Sequence, residues 1–123
     1  MEFLLQKAIK EEVIYRTVSE FYNKGSEGYS KYDPDINLFN LHHGSDFPLR
    51  VSVYEQDEPY VNLAIYLAKH LLTNVIISND SLNPFEWLLV DTSGELKIVY
   101  EKPIDISGYF ELSDEYKHLL YEI

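Results

Sequence analysis

Apolar residues recur along this chain with two periods, one near 3.6 and one near 2, and the changes between them mark out the elements. Ile14, Val18, Phe21 and Tyr22 follow one another at helical steps between charged residues and stop before Gly25. That spacing predicts an amphipathic helix over residues 12–23, ended by a glycine. Phe3, Leu4 and Ala8 fall on the same face, so the pattern lets the helix begin as early as Glu2. The stretch GSEGYSKYDP (25–34) has no apolar period and reads as a loop. Residues 36–41 suit a short edge strand and residues 42–46 a turn. In residues 49–54 the apolar Leu49, Val51 and Val53 alternate, as in a half-buried strand.

The middle of the chain carries the strongest periodicity. Asp57, Glu58 and Pro59 place two acids and a proline where a helix N-terminus favours them. Val61, Ala64, Ile65, Ala68, Leu71 and Leu72 then form a core stripe, widened by Leu63, Tyr66 and Leu67, so a buried helix is expected over about 59–72. Residues 74–78 form a β-branched run that reads as a central strand, and NDSLNP (79–84) is turn chemistry. Residues 85–91 and 96–101 read as a hairpin whose turn includes Gly94. Ser113 precedes Tyr116, Leu119, Leu120 and Ile123, which predicts one more short helix with Ser113 as its cap. No repeat or linker interrupts the series. The expected fold is a single α+β domain over residues 1–123. In it a mostly antiparallel sheet of about 4–5 strands packs against an N-terminal helix and the buried central helix.

Length agrees with that reading, because 123 residues suit one domain large enough to bury a core without covalent staples. The chain has no cysteine, which excludes disulfides, thiolate catalysis and Cys-based metal sites. Ten Lys+Arg against 21 Asp+Glu leave a net charge of −11. Residues 1–31 hold five bases and five acids, whereas residues 32–123 hold five bases and sixteen acids, so the whole excess lies there. A chain of this charge repels nucleic-acid backbones and anionic membranes. Residues 60–78 are interrupted by Asn62, Lys69, His70 and Asn74 and do not read as a membrane span. Glu2, Lys7 and Lys10 break the apolar core a signal peptide needs, and a cytoplasmic protein is expected.

Candidate chemistry is sparse. His42, His43 and Asp46 form the one His/carboxylate group, but adjacent histidines on an extended chain point to opposite faces. His70, near the end of the central helix, is placed to meet the last carbonyls there. No serine has a nucleophile-elbow context, and the five glycines are too scattered for a phosphate loop. No catalytic residue, metal or cofactor is therefore assigned. Eleven tyrosines, six phenylalanines and one tryptophan carry more signal. Tyrosine beside carboxylates is the make-up of a surface that engages a basic protein, the rings supplying contact area and the acids steering. Two such patches stand out: Tyr54, Glu55, Asp57, Glu58 and Tyr60 at the strand-to-helix turn, and Tyr32, Asp33 and Asp35 before the edge strand.

The run from Pro59 to Tyr100 has the helix YVNLAIYLAKHL, a short strand, the turn NDSLNPFEW and the hairpin LLVDTSGELKIVY. In this style it resembles bacterial immunity proteins encoded beside polymorphic or contact-dependent growth-inhibition toxins, over about a third of the chain. The resemblance implies a non-catalytic cytoplasmic protein, a monomer or homodimer, that occludes the active site of one toxin domain. Many such toxins are nucleases with basic clefts, which an acidic inhibitor suits. The alternative is a subunit or adaptor of a larger assembly, including a homodimer through the hairpin or an edge strand. An enzyme or small-ligand-binding domain comes third.

Overall fold

The computed structural model describes residues 2–23, 34–41, 44–54, 60–104 and 106–121. Six strands form one sheet: β1 (Glu2–Leu5), β2 (Ile36–Asn40), β3 (Leu49–Val53), β4 (Val75–Ser78), β5 (Glu86–Val90) and β6 (Leu96–Tyr100). Helices α1 (Glu11–Asn23) and α2 (Tyr60–Leu71) and a 3₁₀ helix (Asp114–Tyr121) complete the fold. The strand order is β2-β3-β1-β4-β5-β6, with every neighbouring pair antiparallel. The architecture is α+β, as expected, with one strand more than the upper expectation of five.

The extra strand corrects the reading of the first residues. Glu2–Leu5 is not the start of a helix but a central strand, paired with β3 (Phe3 opposite Val51) and with β4 (Leu5 opposite Val75). Phe3, Leu4 and Leu5 are all buried because the sheet is covered on both faces. An uninterrupted apolar run is what a doubly covered strand requires, and it carries no period of two. Helix α1 then begins at Glu11, where the Val13 and Ile14 N–H groups donate to the Lys10 carbonyl. Glu11 and Glu12 lie in its first turn, where the dipole favours them.

Alternate residues of the strands feed two cores. On one face Phe3, Leu5, Leu49, Val51, Val53, Val75, Ile77 and Val90 meet Ile14 and Val18 of α1 and Leu63, Ala64, Leu67 and Ala68 of α2. Each large side chain buried in this way contributes about 1.5–3 kcal/mol. On the other face Leu4, Ile76, Leu89 and Val99 are covered by Phe47, Phe110 and Leu112 from connecting segments and by Leu119 and Leu120 of the 3₁₀ helix. With three residues per turn, Tyr116 and Leu119 fall on one ridge and face this second core. The Ser113 carbonyl, rather than a side-chain cap, accepts the Tyr116 N–H that opens this helix. Helix α2 ends at Leu71, and Leu72 adopts the left-handed conformation (φ 53°) while the Thr73 N–H donates back to the Ala68 carbonyl. At the tip of the β5–β6 hairpin, Gly94 (φ 89°) lies against Ile65 and Lys69 of α2. A Cβ there would stand 3.2 Å from Lys69 Cδ.

An ion-pair network locks the covering segment to the sheet. Lys102 Nζ contacts Glu111 at 2.7 Å and Asp114 at 2.8 Å, and Lys117 Nζ contacts Glu111 at 2.9 Å and Asp46 at 3.0 Å. Asp46 also accepts from the Leu112 N–H. The bonds from Lys102, Tyr109 and Lys117 hold the Glu111 carboxyl at about 2, well below its usual 4.5. A lowered folded-state value makes the contribution of Glu111 complete above pH 4.5 and lost as the pH falls from there toward 2. Glu111→Gln is therefore expected to cost about 1 kcal/mol at pH 7, less as the pH falls below 4.5, and nothing below pH 2, read by urea unfolding across pH. An equal loss at both ends of that range would contradict the assignment.

Candidate partner-binding surface

The antiparallel pairing of β2 with β3 brings together Asp35 and Tyr54, one described residue from each of the two patches that are separate in the sequence. Ile36 lies opposite Val53, and just beyond them the Tyr54 N–H donates to the Asp35 carbonyl at 3.0 Å. Asp35 and Tyr54 therefore share one end of the sheet, with the Tyr54 side chain 58% exposed. Tyr60, the first residue of α2, is 50% exposed. Tyr32, Asp33, Glu55, Asp57 and Glu58 lie outside the described residues, as do His42 and His43. Asp46, grouped with those histidines in the sequence, is a structural acceptor for Leu112 and Lys117. His70 does not reach the last carbonyls of α2: its ring stacks on Tyr66 at 3.8 Å, and Nδ1 donates to the Tyr66 carbonyl at 2.9 Å, one turn inside the helix. No group of three or more metal-ligating side chains occurs among the described residues.

Charge on the β5–β6 half of the molecule is unevenly compensated. Its three lysines are committed: Lys97 to Asp91 at 3.5 Å, and Lys102 and Lys117 to the network above. Glu86, Glu95, Glu101 and Glu115 meet no cation among the described residues. Glu86 instead accepts from Tyr100 Oη at 2.9 Å and Asn79 Nδ2 at 2.6 Å, and these bonds hold its carboxyl below the usual range. Asp91 is pushed up by burial, but bonds from the Ser93 hydroxyl and the Ser93 and Glu95 N–H groups outweigh that and lower it.

The same half leaves apolar surface open. Leu96 and Ile98 of β6 point to the face that carries α1 and α2 and are 46% and 54% exposed. Strand β6 is the sheet edge, and residues 111–113 engage its outer rim from Tyr100 to Lys102.

On the opposite face, the part of the sheet that the 3₁₀ helix does not reach forms a groove of about 260 Å³. Arg50, Trp87 and Glu101 line it above Leu4, Ile76 and Phe110. Trp87 Nε1 donates to Glu101 Oε1 at 2.9 Å, and burial pushes the Glu101 carboxyl up against the effect of that bond. The sequence hides this group. Arg50 is one polar position in an alternating strand, Trp87 opens an apolar run in another, and nothing local connects them to Glu101.

With this geometry in view, comparison with known proteins adds no relative: no family model, curated protein or solved structure matches the chain. No described helix is long and apolar enough to cross a membrane.

Proposed function

We propose that this protein is a non-catalytic, acidic protein-binding module that occludes the basic active site of a partner. A toxin domain of nuclease type is the partner this chemistry suits best, and the immunity-protein role is the reading. The observation that carries it is the Asp35–Tyr54 backbone bond, which sets an exposed acid and an exposed tyrosine side by side at one end of the sheet. Exposed rings on a rigid strand end supply contact area at little ordering cost, and the net charge of −11 steers a cationic partner.

The test is a pull-down with tagged protein at low and moderate salt, followed by assay of the captured protein's activity with and without the module. A single basic partner, inhibited on binding and released by salt, is the expected result. Combining Asp35→Lys with Tyr54→Ala is expected to weaken that complex at least tenfold and flatten its salt dependence, as is changing Glu55, Asp57 and Glu58 to lysine. Unchanged affinity in both variants would remove this surface from the interface.

The open edge of β6 favours a second reading, a subunit that assembles through that strand. Leu96 and Ile98 lie half-exposed on the edge strand of the sheet, the position at which a strand from another copy can be added. Light scattering across protein concentration should then give a mass that rises above 14.4 kDa, and Ile98→Lys should return it to the monomer value. A constant monomer mass would leave the inhibitor reading alone.

A further inference from the structure

The groove on the 3₁₀ face contains an arginine with nothing to bind. Arg50 Nε is buried without a hydrogen-bond partner, and the guanidinium makes no ion pair among the described residues. Its guanidinium carbon lies over the Phe39 ring, 4.7 Å from the centroid. Such stacking contributes about 0.5–1 kcal/mol and satisfies none of the N–H donors. Two carboxylates line the same groove, Glu2 and Glu101, and neither pairs with Arg50. The register explains this: Arg50 is on β3, whereas Glu101 follows β6 four strands away, and Glu2 stands opposite Ser52 rather than Arg50. A half-buried arginine whose Nε–H lacks an acceptor thus lines a groove with an apolar floor and an indole wall in an otherwise acidic molecule.

We propose that this groove binds a small monocarboxylate with an apolar body, its carboxylate held by Arg50 and its body lying on Leu4, Ile76 and Phe110 beside Trp87. The planar fork of arginine suits a carboxylate, and two parallel charge-assisted bonds would supply the acceptors that Arg50 lacks. Trp87 is held in place as a wall by its bond to Glu101 and by edge-to-face contact with Phe110 at 5.5 Å. The volume admits a ligand of roughly ten non-hydrogen atoms, smaller than most drug-sized ligands. Selectivity follows from charge: one guanidinium beside the carboxylates of Glu2 and Glu101 accommodates a monoanion, whereas a dianion such as phosphate meets added repulsion. This site stands on different residues from the partner surface and does not depend on it.

The chain's single tryptophan lies in the groove and provides the readout. Titrating the purified full chain with phenylacetate should change Trp87 fluorescence saturably, with a Kd of about 1 mM or tighter. Amide and indole NMR shifts should localise to Arg50, Trp87 and Phe110. Benzyl alcohol and inorganic phosphate should bind at least tenfold more weakly. A tripeptide ending in phenylalanine, compared with its C-terminal amide, separates a chain-end carboxylate from a free metabolite. Tighter binding of the free-acid peptide than of phenylacetate assigns the first source, and the reverse order assigns the second. Arg50→Gln should weaken phenylacetate at least tenfold, and Arg50→Lys should recover part of it with the spectrum otherwise native. No saturable change with either carboxylate, equal binding of benzyl alcohol, or undiminished binding by a folded Arg50→Gln would overturn the proposal.

Discussion

Replacing Phe47 with alanine is expected to destabilise the protein by about 3–5 kcal/mol and lower its melting temperature by about 10–20 °C. Phe47 is fully buried although it belongs to no helix or strand. Its ring meets Phe110 edge-on at 5.6 Å and belongs to the cluster that includes Leu4, Ile76, Leu89 and Val99. The segment that carries it cannot easily collapse into a void. The neighbouring Asp46 N–H donates to the Phe110 carbonyl, and the Ser45 hydroxyl accepts from the Phe110 N–H. Asp46 is bound in turn by Leu112 and Lys117. A clasp tied on both sides holds the cavity open, which is the condition under which large-to-small changes cost most. Since a domain of this kind is stable by only about 5–15 kcal/mol, the variant should sit close to unfolding at 37 °C. Urea titration followed by circular dichroism measures the loss. A change below about 1 kcal/mol would mean that the second face of the sheet is not packed as described.

Phe47 also marks the limit of what the chain reveals locally. Helix α2 is legible because Val61 to Leu71 repeat at 3.6 residues over three turns, and the β5–β6 hairpin because two short apolar-rich runs flank a glycine turn. Both are sustained patterns within one short window. Strand β1 is not legible: four residues are too few to define a period, burial on both faces removes the alternation, and Ala8 completes a helical spacing by accident. The second core is hidden for a related reason. Phe47, Phe110 and Leu112 come from irregular segments, so their shared burial is a property of the tertiary pairing alone. The candidate surfaces divide in the same way. Tyrosines beside acids can be counted in the sequence, but the union of Asp35 with Tyr54 needs the β2–β3 register. The grouping of Arg50, Trp87 and Glu101 needs the order of five strands. The chemistry of the proposed partner surface is thus partly written in composition, whereas the groove is written only in the fold.

Asn74→Ala should detach the 3₁₀ helix before it unfolds the sheet, at a cost of about 2–4 kcal/mol. Asn74 is 3% exposed, and its side-chain amide joins three elements. Nδ2 donates to Gln6 Oε1 at 2.8 Å and to the Leu119 carbonyl at 3.1 Å, while Gln6 Nε2 donates to the Leu120 carbonyl at 2.8 Å. The orientation is fixed by its partners. Gln6 must turn its amine toward Leu120, which leaves its oxygen toward Asn74, so Asn74 has to present its own amine to both acceptors. Removing that amine leaves a buried carbonyl and a buried amide oxygen without a donor, at about 1–3 kcal/mol each. The backbone bond from the Gln6 N–H to the Asn74 carbonyl survives the substitution, so β1 and β4 stay paired. Hydrogen exchange at residues 114–121 should accordingly rise far more than exchange in β1, β3 and β4. Asn74→Asp tests the polarity of the arrangement: at neutral pH it sets a carboxylate against two oxygens and should destabilise more than alanine does. If both variants lie within about 0.5 kcal/mol of the parent, or if exchange rises uniformly across the sheet, then this amide does not anchor the 3₁₀ helix. Loss confined to that helix would instead show that the cover of the second core is a separately removable layer. The β1, β3 and β4 part of the groove floor would then remain in place without it.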